Sequence, residues 1–260
     1  MMKKKIIFRT VAVLCAFACG LSVYQAVKIT NEYKQGEKEY SDLADILVSS
    51  ADKSIYVTKN APSEEQGAAE NAPMDVNFEM LQEMNADAVG WLYCEGTMIN
   101  YPVVQSSDNA YYLNRLFDNQ KNSSGAIFMD AMNKPDMSDI NTIIYGHNMK
   151  NGTMFASLSN YSSQRFYEQH PVMYYLTKER NYRIDIFASY ETAGGSDAFT
   201  IFFDSEDTYS NYLKQRWSLS QIDTSWLPMS TEDNIVTLST CSYDFNDARF
   251  VVQGKVTPLD

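Results

Sequence analysis

A succession of short β-type runs extends through most of the chain after residue 90. Runs rich in β-branched and aromatic residues cover 91–94, 99–104, 125–129, 141–145, 182–190, 235–241 and 249–256. Helical spacing of apolar residues is confined to 78–88, 110–116 and 205–218 within this part of the chain. Many short strands with few helices predict a mainly β fold, a barrel or sandwich with helical insertions.

The N-terminus has a different pattern. Lys3, Lys4 and Lys5 precede an apolar run over residues 11–27. Seventeen helical residues reach about 26 Å, and counting from Ile6 covers the ~30 Å hydrocarbon core of a bilayer. We therefore expect a single-pass membrane anchor, with the leading basic end cytoplasmic and the rest on the extracellular side. A cleaved signal peptide ending near residues 16–18 and lipidation at Cys19 remain open as alternatives.

Between the apolar run and the β-rich part lies a polar connection. Tyr40, Leu43, Ala44 and Leu47 have helical spacing, although Gly36 weakens this helix. Residues 51–73 are turn-rich and poor in apolar side chains, which is typical of a flexible linker. We therefore divide the chain into a cytoplasmic tip and anchor (1–28), a stalk and linker (29–74) and a catalytic domain (75–260).

Composition excludes several classes of function. The chain carries 33 acidic and 21 basic residues, a formal net charge of −12. This balance argues against a nucleic-acid partner, because a binder needs a basic surface to meet phosphate. Four cysteines without a Cys-x-x-Cys pair, and two histidines in all, argue against zinc, redox and other metal sites. The chemistry must therefore rest on a few individual residues.

Three such residues follow or open predicted strands. Cys241 ends the run 235–241, Arg249 opens the last run, and His147 comes just after the run 141–145. If the last two strands pair antiparallel, the thiol and the guanidinium lie at the same end of the sheet. A thiol, an imidazole and a fixed positive charge are the groups needed for acyl transfer through a thioester.

Each residue taken alone has an ordinary structural interpretation. A single strand cysteine is usually a small buried hydrophobic residue, a single histidine a loop residue, and a strand-opening arginine half of a surface ion pair. We keep that interpretation for Cys94, as a core residue, and for His170, as a loop residue before a proline. The spacing gives no support to a Cys94–Cys241 disulfide.

The sequence around these residues carries a specific resemblance. Residues 237–241 read TLSTC and residues 249–252 read RFVV, which together resemble the signature of sortases, the cysteine transpeptidases of Gram-positive surfaces. The segment NTIIYGHNM at 141–149 resembles the histidine segment of class B sortases. The segments 85–92, 99–105 and 108–113 also resemble class B, so the resemblance extends from about residue 75 to residue 256.

The resemblance implies a fold and a set of site residues. The fold is an eight-stranded sortase-type β-barrel with an N-terminal helical extension and a helix between the sixth and seventh strands. Cys241 is then the nucleophile, His147 the acid and base, and Arg249 the stabiliser of substrate and oxyanion. Positions matching the family's peptide groove are Asn109, Leu113 and Ser239. Ser242 departs from the acidic residue that often follows the cysteine, which puts in doubt a groove contact at that position.

The resemblance also implies a reaction. The enzyme cleaves a C-terminal sorting signal of a surface protein and transfers the acyl group to a cell-wall cross-bridge or pilin amine, with no metal or organic cofactor. Two alternatives stay open: a membrane-anchored cysteine peptidase that hydrolyses its substrate, and a catalytically silent surface binding domain.

Overall fold

The computed structural model describes residues 2–50, 72–242 and 247–259. The chain begins with a long helix, α1 (Met2–Leu47), and continues into a short strand, β1 (Val48–Ser50). This strand pairs antiparallel with β2 (Met74–Val76). The flexible linker predicted for residues 51–73 lies almost entirely outside the described residues.

The structure contradicts the single-pass membrane anchor expected over residues 11–27. Among the described residues, no helix combines the length and the apolar character that crossing a bilayer requires. The apolar run gives a physical reason, because Ser22 and Gln25 interrupt it and its seventeen residues reach only about 26 Å of a ~30 Å core.

The C-terminal part of α1 packs against the β-rich part of the chain. Its apolar positions Tyr40, Leu43 and Leu47 are buried, as their helical spacing predicts. The Tyr40 hydroxyl donates a hydrogen bond of 2.7 Å to the carbonyl of Gly125. A Cβ at Gly36 would lie 2.9 Å from Ser124 Oγ, so the glycine that weakens the helix also permits this close approach.

Eight strands form the predicted closed barrel, in the order β10-β8-β7-β3-β4-β5-β6-β9. The pairs β4–β5 and β6–β9 are parallel, and the other pairs are antiparallel. The strands are β3 (Ala88–Tyr93), β4 (Asn100–Val104), β5 (Ile127–Met129), β6 (Asn141–Tyr145), β7 (Val172–Leu176), β8 (Asn181–Ala193), β9 (Asn234–Cys241) and β10 (Ala248–Pro258).

In the described part of the chain, three further helices lie outside the barrel wall: α2 (Phe78–Met84), α3 (Gln164–Gln169) and α4 (Glu206–Leu219). Short 3₁₀ turns cover Tyr111–Asn114, Ala156–Ser162 and Asp197–Phe199. The helix predicted between the sixth and seventh barrel strands is α4, between β8 and β9.

Helix α4 follows from its sequence. The Ser205 hydroxyl caps its first turn by accepting from Thr208 N. Tyr209, Tyr212 and Leu213 recur at steps of three and four and are buried against Ile235 and Val251 of the barrel wall. Strand β9 is buried from Ile235 to Thr240, and only its two end residues are partly exposed.

Helix α2 and strand β7 differ from the sequence expectation. The helix predicted over 78–88 ends at Met84, and Ala88 already belongs to β3. The intervening Asn85 is extended, and its buried amide donates to the carbonyl of Phe117 at 2.7 Å. Strand β7 had no counterpart among the predicted runs.

Candidate active site

Cys241 and Arg249 face each other across the last pair of strands. Cys241 is the final residue of β9 and Arg249 the second residue of β10, and the antiparallel register pairs these two residues directly. The Cys241 side chain is half-buried at the barrel rim. Antiparallel pairing therefore brings the thiol and the guanidinium to one sheet end, as the sequence predicted.

His147 reaches the same end of the barrel from β6. This strand runs parallel to β9 with Tyr145 opposite Ser239, so the residues that follow the two strands leave the barrel at the same end. The next residue, Asn148, ties the two exits together, because its Nδ2 donates to the Cys241 carbonyl at 2.9 Å. The parallel pairing, rather than proximity in sequence, places the imidazole beside the thiol.

The two groups perturb each other. A hydrogen bond from His147, assisted by the positive charge of Arg249, lowers the pKa of Cys241 against the opposing effects of burial and of Asp247. The same hydrogen bond, together with one to the Leu113 carbonyl, raises the pKa of His147 against the effect of burial. Both shifts favour a thiolate beside an imidazolium, which is the reactive form of a cysteine nucleophile.

A second contact determines which nitrogen of the His147 imidazole carries a proton. His147 Nε2 lies 2.6 Å from the carbonyl oxygen of Leu113. A carbonyl only accepts, so Nε2 carries a proton in this contact. In neutral His147 the other ring nitrogen, Nδ1, is then the atom that can accept a proton.

Arg249 is held by its own strand and by the loop before it. Its Nη2 lies 2.9 Å from Asp247 Oδ1, and its Nη1 donates to the Ala248 carbonyl at 3.1 Å. About a third of the side chain, 30%, is exposed to solvent. A guanidinium has five donors, so these contacts are compatible with donation to a bound oxygen.

These groups open into one cleft of about 270 Å³. The cleft brings together all six predicted site residues: His147, Cys241, Arg249, Asn109, Leu113 and Ser239. Asn109 and Leu113 come from the segment before β5, and Ser239 from β9. Leu113 is 43% exposed and offers an apolar side chain at the rim.

An aromatic wall of the cleft was missed by the sequence reasoning. The rings of Phe128 and Tyr145 lie 5.2 Å apart, and Tyr145 stacks on Phe199 at 6.2 Å. The position of Tyr145 was a signal, because it stands two residues before His147 at the end of the same strand. Phe199 comes from the long connection between β8 and β9, and nothing in the sequence relates it to the cleft.

The remaining cysteine and histidine of the domain lie elsewhere. Cys94 is buried beside the Tyr161 hydroxyl at 3.5 Å, and burial raises the pKa of its thiol. His170 ends α3, with its Nδ1 2.8 Å from the Glu95 carbonyl. Both residues 94 and 241 are free thiols. In the part of the chain that the structure describes, no three His, Cys, Asp or Glu residues are grouped so that they could hold a metal ion.

Comparison with known proteins gives one consistent family. The model of the Sortase domain family matches residues 92–257. A curated protein from Listeria monocytogenes named Sortase B is 37% identical over 241 residues, which are 91% of this chain and 92% of that protein.

Solved structures of the same family are similar in fold. Sortase B from Bacillus anthracis in complex with AAEK1 has a TM-score of 0.72 and 32% identity, covering 88% of this chain and 99% of that chain. The Staphylococcus aureus sortase B–substrate complex has a TM-score of 0.67 and 34% identity, covering 70% of this chain and 85% of that chain.

Proposed function

The chain belongs to the sortase family, and we propose that Cys241, His147 and Arg249 carry out the reaction of a class B sortase in this protein. Its similarity to sortase B proteins supports a cysteine transpeptidase of that class. The observation that carries the assignment of residues is the paired shift at the barrel rim, where the pKa of Cys241 is lowered and that of His147 is raised by one shared hydrogen bond.

The first step forms a thioester. The Cys241 thiolate attacks the carbonyl carbon of a peptide bond in the sorting signal, and the tetrahedral intermediate collapses by breaking the carbon–nitrogen bond. The leaving amine takes a proton from the His147 imidazolium, so it departs as a neutral amine. The acyl group is then held on Cys241, and His147 is left neutral.

The second step transfers the acyl group. An acceptor amine attacks the thioester carbonyl and gives a proton to neutral His147. Because Nε2 donates to the Leu113 carbonyl, Nδ1 is the nitrogen that receives this proton. The carbon–sulfur bond breaks, a new amide forms, and the thiolate–imidazolium pair is restored.

Arg249 has the role of stabilising the negative oxygen of both tetrahedral intermediates. It lies directly opposite Cys241 in the strand register, and its positive charge already lowers the pKa of that thiol. A planar donor group at fixed distance from the nucleophile suits an oxyanion better than a flexible point charge does.

The cleft offers a peptide both apolar and polar surface. Its aromatic wall and Leu113 offer apolar surface, Asn109 contributes a polar group, and Ser239 lines the wall with its hydroxyl buried. In this proposal these residues bind the sorting signal of a secreted surface protein. The acceptor is an amine of a cell-wall cross-bridge or of a pilin.

A panel of sorting-signal peptides, incubated with glycine, diaminopimelate or lysine amines, tests the proposal. Transpeptidation predicts an amide product that contains the added amine, and the preferred amine identifies wall anchoring or pilin joining. A free acid formed at the same rate with and without amine would instead identify a hydrolytic thiol peptidase. Absence of any thioester on the protein would leave only a binding role.

A further inference from the structure

A buried carboxylate beside the cleft is not used by the reaction described above. Asp130 follows β5 directly, and only 6% of it is exposed. Its Oδ2 accepts from Asn109 Nδ2 at 2.7 Å and from the Tyr145 hydroxyl at 2.9 Å. Its Oδ1 accepts from Met132 N at 2.9 Å. The carboxylate therefore joins two residues of the cleft that come from different parts of the chain.

Asn109 and Tyr145 each belong to a part of the chain that positions His147. Tyr145 ends β6 and stands two residues before His147. Asn109 opens the segment that contains Leu113, whose carbonyl binds His147 Nε2 at 2.6 Å. Asn109 is held on both sides of its amide, because its Oδ1 also accepts from Ala131 N at 2.8 Å. One carboxylate thus ties the strand that carries the imidazole to the segment that carries its carbonyl partner.

This geometry matters because the Leu113 contact decides which ring nitrogen carries a proton. If the segment 109–114 shifted relative to β6, Nε2 would lose its acceptor, and Nδ1 would no longer be kept free to take the proton. A displacement of about 1 Å in such an arrangement can cost on the order of 100-fold in rate.

We propose that Asp130 is a positioning residue of the transpeptidation reaction, which holds the Leu113 carbonyl and the end of β6 together so that His147 keeps its place beside Cys241. The proposal rests on the roles assigned above to His147 and Cys241. Asp130 itself touches neither the thiol nor the imidazole, so it acts through Asn109 and Tyr145.

A second buried carboxylate, also in the connection between β5 and β6, provides a matched control. Asp139 is 4% exposed and accepts from Asn133 Nδ2 at 2.9 Å and from Lys134 N at 2.7 Å. Within the described residues, its bonding partners Asn133 and Lys134 do not line the cleft. Asp139→Asn and Asp130→Asn therefore remove the same charge from similar burial, and only the second change acts on the cleft.

The test measures alkylation of Cys241 by iodoacetamide as a function of pH, with peptide mass spectrometry to separate it from the other cysteines. We expect Asp130→Asn to move the midpoint of this profile upward, toward the ordinary thiol value of ~8.5. We also expect kcat for peptide transfer to fall about 10- to 100-fold. Asp139→Asn should lower the melting temperature without moving the profile.

Asn109→Leu keeps the proposal testable if Asp130→Asn does not fold. Asn109 is exposed, so its replacement spares the core. It removes the hydrogen bonds of the Asn109 amide to Asp130 Oδ2 and to Ala131 N. Iodoacetamide needs no peptide groove, so an upward shift in this variant reports on positioning and not on peptide binding. Wild-type midpoints in the folded variants, or equal shifts in Asp130→Asn and Asp139→Asn, would overturn the proposal. Transfer that survives Cys241→Ala would instead overturn the proposed function.

Discussion

Replacing His147 by alanine separates the two tasks assigned to the imidazole, which are to activate the thiol and to move a proton. The hydrogen bond from His147 is the largest cause of the lowered pKa of Cys241. Without it the thiol moves toward the ordinary ~8.5, where about 3% is ionised at pH 7. Loss of activation is therefore expected to slow alkylation of Cys241 by about 30-fold. Burial of the thiol, which raises its pKa, and the positive charge of Arg249, which lowers it, oppose each other in this variant.

Peptide transfer should fall further than alkylation does. Transfer also loses the group that protonates the leaving amine, and such a group is typically worth about 100- to 10,000-fold. Because the two effects act on one unit and do not multiply fully, we expect at least a ~100-fold loss of transfer. The assay compares the alkylation rate with the rate of amide formation at pH 7 in the same preparation.

His170→Ala is the matched control for this variant. His170 lies at the end of α3 against Phe166, with a ring separation of 4.5 Å, and it does not line the cleft. Both variants should remain folded by circular dichroism. If folded His147→Ala transferred peptide at the wild-type rate, or if folded His170→Ala were inactive, the assignment of the general acid and base would be refuted.

Three further outcomes are expected. Arg249→Lys should keep the fold but lose about 100- to 1,000-fold in kcat, measured by peptide turnover, since a point charge does not reproduce the planar donor fork; turnover like wild type would reduce Arg249 to a surface charge. Cys94→Ala should leave thioester formation intact by mass spectrometry, because that thiol is buried away from the cleft; loss of the thioester in a folded variant would contradict this. Burial raises the pKa of Glu39 to about 7. Between about pH 4.3 and that value the folded state therefore binds more protons than the unfolded state. The free energy of unfolding consequently falls as pH rises through this window. Glu39→Gln should therefore raise the melting temperature at pH 8 and change it little at pH 4, and equal effects at both would contradict the burial argument.

The barrel was largely predictable because most of its strands are β-branched or aromatic runs bounded by turns. The run predicted over 141–145 coincides with β6, and the run over 235–241 differs from β9 by one residue. Strand β7 was not predicted, although three of its five residues, Val172, Tyr174 and Tyr175, are β-branched or aromatic. Local pattern cannot identify a strand whose stability comes from its two neighbours, β3 and β8.

The prediction of a single-pass membrane anchor at the N-terminus was wrong. An apolar run of marginal length gave the expectation of a membrane anchor, whereas no described helix meets the requirement for crossing a bilayer. In contrast, the helical spacing of Tyr40, Leu43 and Leu47 correctly identified a buried helix face.

The site was predictable only in part. The juxtaposition of Cys241 and Arg249 follows from antiparallel pairing of consecutive strands, which a sequence can suggest. The approach of His147 depends on the parallel pair β6–β9, which joins strands far apart in the chain. The role of Asp130 could not be predicted from the sequence, because a single acidic residue after a strand forms no recognisable pattern. Its importance comes from partners at positions 109 and 145.

Acyl transfer through a thioester on Cys241 is the step on which the roles of His147 and Arg249 depend. Incubation of the protein with a sorting-signal peptide and no acceptor amine, followed by acid quenching and peptide mass spectrometry, tests it directly. We expect an acyl adduct on the peptide that contains residue 241. It should disappear when an amine is added and should be absent in Cys241→Ala. An adduct at another residue, or an amide product formed by Cys241→Ala, would contradict acyl transfer through Cys241.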